Sequence, residues 1–291
     1  MFLQDQLQIV GLEGIWKKIE PNLKRSIKLK PKICSIKNSL SIIGGTPVAT
    51  NGFKWPLNLD GEHLSFIAQI NLEDITPLDR RGVLPGHGML YFFYDAFYQP
   101  SGYKNEHQNS WKVIYEEIKP LKMVKTPYPQ DLLIRNNQIT SVFEKLIFHE
   151  FEIDFHSEYT VPPYESEFVK SLHLDFDDLW KYEQFYFKQV NQKPRYRMLG
   201  FPDRKMVNTD MIAICRLTGN DMDHYPLGNS GYNLPEPIDK NEEWILLLQM
   251  DSDLEVGMAW GGEEMGRIYF WIRKLDLLQK NFDRCWVILE V

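Results

Sequence analysis

Residues 64–71 read LSFIAQIN, a run of apolar and small residues interrupted by one primary amide, Gln69. The stretch from Leu64 to Ile70 has the length and composition of a buried strand. Burying an amide without a partner costs about 1–3 kcal/mol, so its placement needs a reason. The same arrangement returns near the C-terminus, where residues 244–253 read WILLLQMDSD with Gln249 inside the apolar run. Each run is followed by a glycine that opens an aromatic strand, GMLYFF at 88–93 and GRIYFW at 266–271. The glutamine and the glycine are 19 residues apart in the first case and 17 in the second. We read two diverged copies of one supersecondary unit, at about 44–98 and 225–289. Two copies are too few for a solenoid. The expected fold is α+β and internally duplicated, with largely antiparallel sheets and peripheral helices. An N-terminal helical segment over 1–32 precedes the domain at 33–291.

Two readings of the repeated glutamine follow. An amide both donates and accepts, so it can bond backbone groups where a strand lacks a neighbour. Alternatively, the two amides face each other across a pseudo-axis and line a polar pocket.

Working outward, Leu12, Trp16, Ile19, Leu23 and Ile27 recur at helical spacing, with Pro21 dividing the stripe and Pro31 ending it. The loop GGTP at 44–47 breaks regular structure. LEDITPLD at 72–79 predicts a short helix or turn, and WKVIYEEI at 111–118 a strand. TSVFEKLIFHEFEIDF at 140–155 also reads as a strand, with a first part whose pattern fits another element as well. FDDLWKYEQFYFKQV at 176–190 predicts a helix, with Asp175 as its cap and Pro194 as its stop.

Composition sets bounds. The chain has 291 residues, long enough to bury a core without disulfides or structural metal. Its formal charge of −7 argues against nucleic acid as the main partner, because phosphate binding needs a basic face. Lys17, Lys18, Lys24, Arg25, Lys28, Lys30 and Lys32 form a local exception, with only Glu20 against them. The plain reading is a solvated helix face and linker; the sharper one is a docking patch for an acidic partner or an anionic membrane surface. Cys34, Cys215 and Cys285 are far apart and in no CxxC pair, which fits buried thiols in a reducing compartment. The start has no signal-peptide pattern, and no window is apolar enough to span a membrane. A cytoplasmic location is expected.

These motifs together resemble the YwqG-like family, a bacterial domain family of unknown function. The early part of the likeness is Gly44-Gly45-Thr46-Pro47, Trp55-Pro56, Leu64 to Leu72 around Gln69, Leu84-Pro85, and Gly88 with Leu90, Phe92 and Phe93. The middle part is Thr160-Val161-Pro162 with Tyr164-Glu165-Ser166. The late part is Trp244 to Gln249, Trp260-Gly261, Gly266 to Ile272, and Asp276-Leu277 with Phe282. The likeness covers roughly 33–289 and implies an internally duplicated α+β fold. It brings no reaction, cofactor or catalytic set, and it implies toxin-neutralising or stress-related roles with a protein partner. Two elements depart from the family pattern. A His-x-Leu-Leu-Gly-Tyr-Pro element followed by Gln is here Tyr196 to Pro202 followed by Met206. A Trp-Gly-Asp-x-Gly loop is here the longer Trp260 to Gly266, without the Asp.

Few motifs carry chemistry. Asp251, Asp253 and Glu255 alternate as calcium ligands do, but Val256 and Gly262 occupy the positions where an EF-hand needs glycine and glutamate, so a polar turn is the simpler reading. Asp221, Asp223 and His224 offer mixed ligands but stand alone. Glu263 and Glu264 lie beside Trp260, where an indole can raise a carboxyl pKa, though solvated loop carboxylates are commoner. His87 lies between Gly86 and Gly88 with no partner nucleophile in sight. Residues 228–231 (GNSG) are not a nucleophile elbow, and no complete dinucleotide, P-loop or HExxH motif occurs. No cofactor and no metal are expected, and an enzymatic role has no catalytic constellation behind it. Loop aromatics such as Trp55, Tyr98, Tyr103, Trp111, Tyr225, Tyr232 and Trp260 can anchor a partner or close sheet ends. The expectation is a protein-interaction or binding module. The alternative is a small-molecule-binding protein or hydrolase with a polar site between the units, built from Gln69, Gln249, Trp260, Glu263, Glu264 and His87.

Overall fold

Both glutamine-bearing runs are central strands of one sheet. The computed structural model describes residues 3–33, 39–117, 123–190, 194–203 and 244–291. Its strands are β1 Lys24–Ile33, β2 Ile42–Ile43, β3 Val48–Thr50, β4 Ser65–Asn71, β5 Met89–Tyr94, β6 Trp111–Glu116, β7 Met123–Lys125, β8 Phe151–Thr160, β9 Tyr196–Met198, β10 Trp244–Asp251, β11 Arg267–Arg273 and β12 Trp286–Glu290. Ten of them form one sheet in the order β12-β11-β10-β9-β1-β8-β2-β4-β5-β6, with every neighbouring pair antiparallel. β3 and β7 pair separately. The large sheet curls until its ends meet, so that it is nearly a barrel. The Trp111 and Trp286 rings lie 4.9 Å apart, Lys112 Nζ is 2.8 Å from Asp283 Oδ1, and Leu289 N–H donates to Ser101 O. Side chains and a loop thereby cover two edges that would otherwise expose unpaired backbone.

The interior is one apolar core. Ile67, Ile70, Leu90 and Phe92 from one end of the sheet meet Leu248, Met250, Ile268 and Phe270 from the other. Phe92 and Phe270 touch edge to face at 5.2 Å. Trp260 is wholly buried, with its ring 5.7 Å from both Tyr94 and Phe148. The helices pack outside this layer. The helix Phe176–Val190 buries Tyr182, Phe185, Tyr186 and Val190 in a satellite cluster with Leu7, Leu12 and Ile19. Asp175 caps it, its Oδ1 accepting from Asp178 N–H at 2.8 Å.

The structure corrects two local expectations. The helical reading of the N-terminal segment ends at Asn22: helical turns cover Leu3–Ile9, Glu13–Ile15, Trp16–Ile19 and Glu20–Asn22, and Lys24–Ile33 is a strand. Ile27 and Leu29 alternate with Ser26, Lys28 and Lys30, which suits a strand whose one face is buried. Much of the basic segment therefore lies on a central strand. Pro31 stands within β1, past Leu29, the last residue paired with β9, where its missing N–H leaves no ladder bond open on that side. The second correction concerns 140–155. The strand begins only at Phe151, because the Asn136 side chain accepts from Leu146 and Ile147 N–H and holds the preceding chain as turns. The helix Gln130–Gln138 precedes these turns.

The two ends of the sheet correspond in detail. β4 and β10 carry bulges at matching places, between Phe66 and Ala68 and between Leu246 and Leu248. Gln69 pairs with Tyr91, and Gln249 with Tyr269. β2 and β9 flank the two glutamine strands, and each leads into a loop with consecutive left-handed residues followed by proline. These are Gly44 and Gly45 (φ 66° and 68°) before Pro47, and Leu199 and Gly200 (φ 61° and 80°) before Pro202. A Cβ at Gly200 would lie 2.7 Å from Ser26 Cβ, so this position needs glycine for space as well as for φ.

Candidate functional site

The repeated glutamine is bonded to a loop in each half. Gln69 Oε1 accepts from Val48 N–H at 2.8 Å, and its Nε2 donates to Leu40 O at 2.8 Å. Gln249 Oε1 accepts from Asp203 N–H at 2.8 Å, and its Nε2 donates to Asp203 Oδ2 at 3.0 Å. The facing tyrosine completes the frame. Tyr91 Oη lies 3.2 Å from both Val48 O and Glu116 Oε2, and Tyr269 Oη lies 2.6 Å from Asp203 O and 2.8 Å from Glu290 Oε2. Burial raises both phenols well above their ordinary pKa, so each stays a proton donor. Each amide serves its own loop, and neither bonds the other.

The remaining expected residues are dispersed. Trp260 is in the core, with an indole N–H that has no hydrogen-bond partner among the described residues. Glu263 and Glu264 are exposed in the 3-10 turn Gly262–Glu264. His87 is exposed at the mouth of β5, its Nε2 3.0 Å from Glu117 Oε1. Asp251 pairs with Arg267, while Asp253 accepts from Tyr196 Oη at 2.7 Å and from Glu255 N–H at 2.9 Å, so the oxygens of both are engaged within the protein. No group of three metal-ligating side chains occurs among the described residues. Asp221, Asp223, His224, residues 228–231, Tyr225, Tyr232, Met206, Cys34 and Cys215 lie outside the described residues. Cys285 is buried, and burial pushes its thiol pKa well up.

Two other features stand out. The first is a buried ionic cluster on the face of the C-terminal half that carries Gln249. Cross-strand register aligns Tyr269, Gln249, Arg197, Lys28 and His156 in one row over five strands. Arg197 Nη1 donates to Asp203 Oδ1 at 2.8 Å, Arg195 Nε is 3.2 Å from Asp203 Oδ2, and Arg267 Nη2 donates to Asp251 Oδ2 at 2.9 Å. Arg197, Arg267, Asp203, Asp251 and Glu290 are almost entirely buried. In the N-terminal half the positions equivalent by pairing and sequence offset hold Ile42, Met89, Val48, Asn71 and Glu116. The two halves share the Gln–Tyr–Glu frame, and only one adds a network of charge.

The second feature is a cleft of about 150 Å³ at one end of the near-barrel. The start of β1, residues 78–83 after the short helix Leu72–Ile75, the loop 199–202, the start of β10 and Trp271 enclose it. It therefore draws on both halves. Ile27, Leu246 and Trp271 give it an apolar floor, and Lys24, Arg25, Arg80 and Arg81 ring it with positive charge. Asp79, the acidic residue of the lining, already accepts from Leu84 N–H at 2.7 Å. Arg80 and Arg81 make no ion pair among the described residues. Trp244 and Trp271, both buried, carry indole N–H groups without a hydrogen-bond partner. Apolar walls with a few polar groups, set between structural units, are the usual make-up of a small-molecule site.

Of the cleft and cluster cations, the sequence pointed to Lys24, Arg25 and Lys28 as part of the basic segment that offers a docking patch, and did not point to Arg80, Arg81, Arg195, Arg197 or Arg267. A signal existed in PRYRM, where Arg195 and Arg197 alternate with Tyr196 and Met198 on a strand, at the element where the family likeness departs. Arg80 and Arg81 gave none, because two surface arginines in a loop look alike whether or not a cleft lies beside them.

The sequence model of a family described as a domain of unknown function (DUF1963) matches residues 41–290, and the chain belongs to that family. No curated protein matches the chain.

Proposed function

We propose that this DUF1963 protein is a binding module that takes a small amphipathic anion, a flat apolar body bearing one carboxylate, in the cleft at one end of the near-barrel. The observation that carries the proposal is the combination of an indole-lined floor with a four-cation rim whose Arg80 and Arg81 are unpaired among the described residues. The apolar floor favours burial of a ring, and the rim favours its charge. Internal duplication belongs to the same proposal: the matched bulges, the two Gln–Tyr–Glu frames and the paired left-handed loops support two copies of one unit clamped around this cleft. So do a closer kinship with YwqG-like proteins, for which the early and late sequence motifs speak, and a cytoplasmic location. Among the described residues no helix is long and apolar enough to cross a membrane.

Trp244 and Trp271 are two of the eight tryptophans that contribute to the emission, so the Trp271→Phe variant should lose part of any ligand-induced change. Titration with benzoate is expected to change the emission saturably, with benzyl alcohol weaker and benzylamine weakest. The Arg80→Ser/Arg81→Ser variant is expected to bind benzoate severalfold less tightly. No saturable change, or equal binding by the variant, overturns the proposal. A second reading, a protein-interaction module, is favoured by one observation: Phe176, Leu179 and Trp180 lie exposed together on the helix Phe176–Val190, Phe176 at 84%. A blank titration moves weight to that reading.

A further inference from the structure

The ionic cluster opens on a second, separate cavity of about 110 Å³, on the other side of Phe201 and Pro202 from the cleft. Its walls are mostly polar and come from β1, β8, β9 and the helix Phe176–Val190. Three cations line it, Lys28, Arg195 and Arg197, against two carboxylates, Glu158 and Asp203. The pocket thus holds one positive charge in excess.

The donor inventory points the same way. Arg197 is 1% exposed, and a guanidinium has five N–H groups to satisfy. Nη1 donates to Phe201 O at 3.2 Å and Asp203 Oδ1 at 2.8 Å. Nη2 is 2.8 Å from Glu158 Oε1 without the alignment of a hydrogen bond, and Nε has no partner. Arg195, 8% exposed, also has an Nε with no well-aligned acceptor. Lys28 forms no ion pair among the described residues. Burial lowers the pKa of its ammonium, Glu158 offsets part of this, and Arg195, Lys30 and Arg197 lower it further; an anion beside it would relieve that.

The other half of the molecule supplies an internal control. There, Leu40 and Ile42 stand where Arg195 and Arg197 stand here, and Val48 stands for Asp203. There the glutamine closes on backbone groups alone, without these charges, whereas here Gln249 Nε2 bonds the Asp203 carboxylate. Buried charges are costly, and well-packed apolar groups in their place are often neutral or stabilising. Their presence in one half calls for a role other than folding.

We propose that this pocket binds a small oxyanion, a phosphate or carboxylate group, between Lys28, Arg195 and Arg197. The volume exceeds the ~10–15 Å³ that one water needs and suits a group of that size. Arginine supplies planar paired donors to such groups, and Lys28 adds a mobile charge at the mouth. This site is distinct from the cleft and does not depend on what the cleft binds.

The test is a thermal melt in inorganic phosphate and, separately, in acetate, against chloride at equal ionic strength. One or both oxyanions should raise the midpoint of the wild-type protein. Lys28→Met sits on a half-buried, unpaired side chain and should fold; it should weaken the effect about tenfold or more. The part of the shift that Lys28→Met removes should persist in Arg80→Ser/Arg81→Ser, which separates this pocket from the cleft. A response to phosphate alone assigns a phosphoryl group, and a response to acetate alone a carboxylate. No shift beyond chloride, or a shift that survives Lys28→Met, overturns the proposal.

Discussion

At the scale of the residue, one amide in an apolar strand explains a large part of the local design. Gln69 is wholly buried and satisfies a backbone N–H and a backbone C=O that no strand reaches. Gln69→Ala would leave both groups buried without partners, at about 1–3 kcal/mol each. We expect the variant to lose about 2–4 kcal/mol in urea denaturation, and a loss below about 0.5 kcal/mol would mean that the amide does not hold the loop. This much was legible in the sequence, because a lone amide in an apolar run demands a partner. The identity of the partners was not. Leu40, just before β2, and Val48, at the start of β3, reach Gln69 only once the chain on both sides of β2 has folded against β4, and that is a tertiary fact.

Among the elements, local rules worked where one rule applied and failed where two competed. The amphipathic run at 176–190 and its Asp175 cap are as the periodicity predicts. Asp175→Ala should cost about 1 kcal/mol, read as a drop in the thermal midpoint; no change would mean the exposed cap is replaced by water at no loss. The segment Lys24–Ile33 shows the failure. Ile27 fits a helical stripe begun at Leu12 as well as it fits the two-residue alternation with Leu29, and sequence alone gave the stripe priority. Pairing to β8 on one side and β9 on the other decides for the strand. Likewise the apolar residues of 140–150 read as strand, while Asn136 ties them into turns from a distance that no local window sees.

Across the whole molecule, the two ends of the sheet share a frame and differ in charge. The matched strands were legible as repeated Gln and Gly-aromatic motifs. The cleft was not, since its rim joins Lys24 and Arg25 to Arg80 and Arg81 only after the sheet has curled. The ionic cluster was not legible either, because Arg195, Asp251 and Arg267 are remote in sequence and look like ordinary surface charges until register brings them together. The account holds that the shared frame carries the fold and that the charges of the C-terminal half serve binding. The most direct test is a double-mutant cycle at the buried Asp251–Arg267 pair, using the residues that the N-terminal half has at those positions, Asn71 and Met89. Unfolding free energies would be measured in urea for Asp251→Asn, Arg267→Met and the double variant. Arg267→Met alone strands a buried carboxylate and should cost about 3–5 kcal/mol. The double variant should recover most of that loss, leaving the fold near wild-type stability. A double variant as unstable as Arg267→Met alone would contradict the account, because the charge network would then be part of what holds the sheet together.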